Sequence, residues 1–268
     1  MSFKKRTSTA LVLLALVFLV IQYSPKLVYF LAIQGIVIAA LLEFYGLAKR
    51  REQTPRVLLG ILFSLFIALS FLLEPVSLGL SLFACLVIAS FYYVLSITKV
   101  EKLKKFPSSI ALTVFGAVYL SFTLNYFYLL REERGPYVVY FMLAVIFIGD
   151  TGAYAVGKLF GKHKMAPIAS PNKTWEGSFG GIITACLGGV LAQQVLLNDV
   201  QVWKAVLFAF LIHAVAQVSD PTESLFKRAA GVKDSSNLLP GHGGFLDRVD
   251  SLVLATPLFY YLVKFIGF

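Results

Sequence analysis

Nine stretches of this chain, at roughly 8–24, 27–48, 57–73, 76–97, 108–130, 137–157, 178–197, 202–219 and 250–266, are apolar over nearly their whole length. Crossing a bilayer's hydrocarbon core takes about 20 such residues as a helix, because lipid offers no partners to backbone N–H and C=O groups. That requirement constrains the fold more than any motif does. Composition agrees: 58% of residues are hydrophobic and only 14% are charged, where a soluble domain carries about 25% charged residues. The expected fold class is an all-α polytopic membrane protein with about nine transmembrane helices.

The basic residues set an orientation. With the N-terminus inside, cytoplasmic segments hold Lys4, Lys5 and Arg6, then Lys49–Arg51 with Arg56, then Lys99, Lys102, Lys104 and Lys105, then Lys158, Lys162, Lys164 and Lys173, and finally Lys227, Arg228, Lys233 and Arg248. Lys26, Arg131, Arg134, Lys204 and Lys264 fall outside or in the last helix. Every inside segment exceeds its outside neighbours, as the positive-inside rule requires, so nine spans run N-in to C-out. The net charge of +10 is thereby used at a membrane surface, and no nucleic acid is implied. The first span follows "MSFKKR", runs past a typical signal core and lacks an A-x-A cleavage site, so a retained helix is expected. Cys85 and Cys186 lie in apolar runs and read as buried free thiols. Two regions follow: 1–107 with helices one to four, and 108–268 with helices five to nine and the polar loops. The small loops suggest a prokaryotic plasma (inner) membrane.

The long polar stretches, 158–177 and 220–249, face the cytoplasm in this topology and hold Glu176, Asp220, Glu223, Asp234, Asp247 and Asp250. Asp150 lies inside the sixth span, where a carboxylate costs about 2.5–3.5 kcal/mol, and a polar cavity is the ordinary reason for such a cost. Tyr154 and Lys158 continue its helix face at i+4 and i+8. His213, Gln217 and Asp220 form a polar stripe in the eighth span. Pro221 then predicts a kink or a restart with Asp220 as N-cap and Glu223 in the first turn. Asp247 and Asp250, one turn apart at the start of the ninth helix, can face one point and suit Mg²⁺ with its appetite for hard oxygens. Gly241, Gly243 and Gly244 allow close approach of backbone to an anion, and Lys227, Arg228, Lys233 and Arg248 supply positive charge.

"SPNKTWEGSFGG" places Lys173 and Thr174 ahead of the seventh helix, whose N-terminus favours an anion, with Glu176 in its first turn. Gly177, Gly181, Ala185 and Gly189 recur every four residues and read as a packing face. Neither G-x-x-x-x-G-K-[ST] nor G-x-G-x-x-G occurs. His242 reads as a base, a phosphate donor or a loop residue.

"SLFKRAAGVKDSSNLLPGHGGFLDRVD" (224–250) resembles the signature of phosphatidate cytidylyltransferases, also called CDP-diacylglycerol synthases, and "GDTGAYAVGKLFGKHKMAPIASPNKTWEGSFGG" (149–181) resembles that family's other shared region. The resemblance implies transfer of CMP from CTP to phosphatidic acid, giving CDP-diacylglycerol and pyrophosphate, at the cytoplasmic face of the bilayer by a homodimer. It implies Mg²⁺ on Asp220 and Asp247 with a second cation nearby. Lys227, Arg228 and Asp250 join those two acids as catalytic residues, and Asp150, Lys173, Thr174, Glu176, Glu223, Lys233, His242 and Arg248 are expected to bind substrates. One departure stands out: the family often reads G-D-L before T-E-S, whereas this chain has Ser219-Asp220-Pro221. The alternative from another class is an ion-coupled transporter using Asp150, His213 and Asp220 as an intramembrane pathway.

Overall fold

A computed structural model describes residues 3–73, 76–239, 241 and 243–267, with side chains from residue 11 onward. The helices are α1 (Phe3–Tyr23), α2 (Lys26–Arg50), α3 (Val57–Leu72), α4 (Leu78–Ser96), α5 (Val100–Ala117), α6 (Tyr126–Arg134), α7 (Pro136–Phe160), α8 (Trp175–Leu196), α9 (Val202–Ala229), α10 (Leu246–Val249) and α11 (Leu252–Ile266). A π-helical turn, Val118–Phe122, follows α5, and an antiparallel hairpin, β1 (Lys164–Ala166) with β2 (Ser170–Thr174), separates α7 from α8. Among the described residues, seven helical segments are long and apolar enough to cross a membrane, and the shorter apolar helices Leu11–Tyr23 and Val57–Leu72 fall in the two remaining expected stretches. Their outer surfaces are greasy: Phe83, Phe91, Val94 and Leu95 on α4 are all more than 60% exposed. Such surface is stable only against lipid. The protein is an integral membrane protein.

The chain packs as two compact units. The first comprises Met1–Tyr128 with Ala229–Arg248, the second Leu129–Arg228 with Val249–Phe268. In the first, Phe63, Ile67, Cys85, Ala89, Tyr93 and Ala117 form a buried cluster. Buried polar groups of this unit pair across its helices, as a medium without water favours. The Tyr45 hydroxyl donates to the Thr113 carbonyl at 2.6 Å, and Gln34 Nε2 donates to Asn125 Oδ1 at 2.6 Å. Gly60 is obligatory here, because a Cβ would lie 2.0 Å from Tyr45 Oη.

In the second unit, α7 and α8 approach closely through small residues. Gly177, Gly181, Ala185 and Gly189 are buried, as their spacing predicts. A Cβ on Gly152 would lie 1.9 Å from Thr184 Oγ1, and one on Gly177 would lie 2.8 Å from the Ala153 carbonyl oxygen. Close backbone approach of this kind is how helices associate in lipid.

Three expectations need correction. Helix α9 does not restart at Pro221 but runs on to Ala229, with Pro221 buried inside it. A proline withholds one backbone donor, but buried residues flank it on both sides, from Ala216 and Gln217 to Glu223 and Lys227. Packing across the ring holds the helix together, and Asp220 is therefore a mid-helix residue rather than an N-cap. The ninth helix is interrupted: α10 ends at Val249, Asp250 and Ser251 turn, and α11 begins at Leu252. Cys85 is buried as expected, whereas Cys186 is only half-buried.

Candidate active site

The second unit holds a cleft of about 580 Å³ lined by α7, the hairpin, α8 and α9. Helix α7 presents Asp150, Tyr154 and Lys158, the i, i+4, i+8 face read from the sequence. The hairpin adds Lys164, Asn172 and Lys173; α8 adds Ser178, and α9 adds Gln217 and Asp220. Three lysines thus face two carboxylates, leaving the space net positive. Thr174 is the N-cap of α8, its hydroxyl accepting from Gly177 N at 3.2 Å. It sets the point where strand becomes helix and so fixes Lys173 at the rim. A Cβ on Gly161 would lie 2.7 Å from Thr174 Oγ1, so the chain can close around that cap only with glycine.

Lys173 Nζ pairs with Asp220 Oδ2 at 2.7 Å, both side chains half-buried. Asp150 lies within coulombic reach of Lys173 and Asp220, and Asp250 within reach of Asp220 and Lys227. Asp250 Oδ1 accepts from Ser251 N at 2.7 Å. Lys227 Nζ and Glu223 Oε2 form a buried ion pair of 2.5 Å along α9. Arg228 Nε donates to the Ala169 carbonyl in the hairpin turn at 3.3 Å. Two residues have jobs the sequence did not suggest. Glu176 accepts from Lys162 N at 3.0 Å and meets His163 Nδ1 at 2.6 Å, so it ties down the loop after α7. Ser219, at the departure from the family pattern, is buried; its hydroxyl donates to the Asp250 carbonyl and accepts from Leu254 N at 3.3 Å. Ser219→Ala should therefore lower stability by about 0.5–1.5 kcal/mol, measured as a shift in thermal unfolding of the purified protein.

Asp247 belongs to the first unit, Asp220 to the second. Asp247 Oδ2 accepts from Ser235 N at 2.9 Å, Ser235 Oγ at 2.8 Å and Gly244 N at 2.8 Å. The loop that supplies these donors turns through Gly241 and Gly243, at φ 79° and 76°, values that L side chains resist. Lys233 is exposed on the same loop and Arg248 on α10; His242 lies outside the described residues. A further acid sits here that the sequence reading passed over. Glu43, buried on α2, accepts from Ser235, Ser236, Phe245 and Leu246. The signal was available: Glu43 is the sole charged residue in the apolar stretch 27–48, where an acid demands a partner.

Among the described residues no three His, Cys, Asp or Glu side chains converge as a ready metal cluster. The donors present still fit Mg²⁺ in kind, since that ion takes one or two carboxylates and completes its shell with water and phosphate oxygens.

These features define a class: a polytopic helical membrane protein with a lysine-rich, carboxylate-bearing cleft. The model of the cytidylyltransferase family matches residues 4–266. Phosphatidate cytidylyltransferases of Staphylococcus epidermidis (strain RP62A) and Staphylococcus aureus (strain COL) are 39% and 37% identical to the chain over 176 residues, 66% of this chain and 67% of each relative. That of Haemophilus influenzae (strain Rd) is 44% identical over 139 residues, 49% of this chain and 48% of the relative. The chain belongs to the cytidylyltransferase family, on the phosphatidate cytidylyltransferase (CDP-diacylglycerol synthase) branch that its signature resembles, and is a nucleotidyltransferase.

Proposed function

We propose that the protein transfers the cytidylyl group of CTP to phosphatidic acid, forming CDP-diacylglycerol and pyrophosphate at the cytoplasmic face of the membrane, with nine spans running N-in to C-out. The observation that carries this reading is the cleft in which Lys158, Lys164 and Lys173 surround the Asp150 and Asp220 carboxylates. Its volume lies in the range of small-molecule sites, roughly 300–1,000 Å³, and its charge suits a polyphosphate. The names of the relatives supply the substrates.

A phosphatidate oxygen attacks the α-phosphorus of CTP and pyrophosphate leaves in line. The lipid phosphate is already ionised, so no protein nucleophile is needed, and catalysis rests on positioning and charge neutralisation. Lys173, steered by Asp220, reaches toward phosphate oxygens from the α8 rim, and Lys227 and Arg248 are further candidates for the phosphates. Asp150 and Asp250, both in coulombic reach of Asp220, complete the acids of the proposed site. Asp220 and Asp247 are the acids that the family resemblance assigns to metal. Mg²⁺ supplies charge neutralisation for the phosphates and the leaving oxygen. Three donors on one oxygen of Asp247 fix its carboxylate plane, the support that ligating carboxylates usually receive. Thr174 and Glu176 act by shaping the rim; Glu223 orients Lys227; Lys233 and His242 complete the set proposed for substrate. The homodimer and a second cation remain part of this reading. The ion-transport alternative is not favoured by the family.

The test is release of CDP-diacylglycerol from labelled CTP and phosphatidic acid by purified protein, with Mg²⁺ and then with chelator. Product should require the metal, and Asp247→Asn should reduce it roughly 10²–10³-fold. If no product forms, the paired substitution Ser219→Gly with Pro221→Leu restores the common family sequence at those positions. Continued silence after that would overturn the proposal.

A further inference from the structure

The carboxylate of Glu43 projects from the C-terminal half of an apolar helix and is only 6% exposed. Each oxygen takes two donors from the same loop. Oε1 accepts from Ser236 Oγ at 2.7 Å and Phe245 N at 3.1 Å; Oε2 accepts from Ser235 Oγ at 2.9 Å and Leu246 N at 2.8 Å. All these residues lie within the first unit. A buried charge is costly unless it is hydrogen-bonded, and here four donors from four residues converge on it.

The Ser235 hydroxyl lies 2.8 Å from Asp247 Oδ2 as well. With one proton it donates to one carboxylate at a time, so Glu43 and Asp247 share it. Gly244 joins the two acids from the backbone side. Its N–H donates to Asp247, and a Cβ there would lie 2.3 Å from Glu43 Oε2 and 2.2 Å from Ser235 Oγ. The loop is therefore folded around Glu43: the Ser235 hydroxyl reaches both acids, and the Gly244 amide that orients Asp247 directly precedes the Phe245 amide that Glu43 binds.

We propose that Glu43 is a positioning residue for cytidylyl transfer: from α2 it fixes Ser235, Ser236, Phe245 and Leu246 and thereby the orientation of the Asp247 carboxylate. The inference rests on the function proposed above. A carboxylate is needed because both of its oxygens accept, whereas a glutamine amide has one accepting oxygen and an NH₂ group that would face two donors.

Glu43→Gln keeps the shape and removes a charge from an apolar helix, so insertion is not at risk. Its amide protection in peptides covering 243–249, read by hydrogen exchange in detergent, should fall by at least about tenfold, reporting release of the Phe245 and Leu246 amides. The rate kcat should fall by about 10–100-fold and the half-saturating Mg²⁺ concentration should rise by a similar factor, the usual effect of losing an orienting partner. KM for phosphatidic acid should not change. Unaltered kinetics and Mg²⁺ response in a folded Glu43→Gln protein would overturn the proposal, as would undiminished amide protection. If Glu43→Gln does not accumulate, Ser236→Ala removes one donor from the loop side and should move exchange and Mg²⁺ response in the same directions, by less; no movement overturns the proposal. If neither the unaltered protein nor the Ser219→Gly, Pro221→Leu variant makes CDP-diacylglycerol, the functional reading fails. The exchange measurement then decides the anchor: retained protection in Glu43→Gln rejects it, and lost protection confines Glu43 to holding the loop.

Discussion

Asp220→Asn should reduce the rate of CDP-diacylglycerol formation by roughly 10²–10³-fold while leaving the protein folded. The two parts of that expectation have separate causes. Asp220 contacts Lys173 through one oxygen and lies in coulombic reach of Asp150 and Asp250. On the proposed function, removing its charge would withdraw a hard ligand from Mg²⁺ and free Lys173 from its direction at the same time. Both losses fall where charge shifts during transfer, so kcat should suffer more than KM for CTP. Stability should change little. The Lys173 and Asp220 side chains are 29% and 31% exposed, and a pair so open to solvent contributes on the order of 1 kcal/mol or less. The check is a labelled-CTP assay across CTP concentrations, beside thermal unfolding of the same preparation. An unchanged kcat would remove Asp220 from the chemistry and leave the lysines of the cleft as a binding site only.

How much of this was readable in the sequence depended on the range of the interaction. The spans were readable because lipid penalises every polar residue locally, so hydropathy alone marks 137–157 or 178–197 to within a few residues of α7 and α8. Asp150, Tyr154 and Lys158 were readable from helical periodicity, and they line one cleft. The hairpin was not: "KMA" and "SPNKT" are too short and too polar to show an alternating pattern, and β2 exists because it delivers Thr174 to the start of α8. The proline in α9 misled because local propensity ignores the packing on either side. Glu43 and Ser235 are 192 positions apart, and no local rule links them. The only trace was a lone acid in an apolar stretch. The Ser219 contact to Asp250 across 31 positions was hidden in the same way.

The buried pair on α9 separates structure from chemistry most sharply. Glu223 is fully buried and Lys227 is 6% exposed, their charged ends 2.5 Å apart. Lys227→Met should destabilise the protein by about 3–5 kcal/mol, because it strands a carboxylate among packed helices. The double substitution Glu223→Met with Lys227→Met removes both charges at nearly constant volume and should recover most of that loss, since a buried ion pair gains little over apolar groups once desolvation is counted. Activity should not follow. Lys227 lies in coulombic reach of Asp250, and its charge is what the proposed mechanism uses. The double variant should therefore unfold near the temperature of the unaltered protein and remain at least about tenfold slower, a deficit of about 1.4 kcal/mol in the barrier. Thermal unfolding in detergent and single-turnover transfer from labelled CTP measure the two quantities independently. Recovery of both together would make the pair a packing device, and the positive charge needed beside Asp250 would then have to come from another residue.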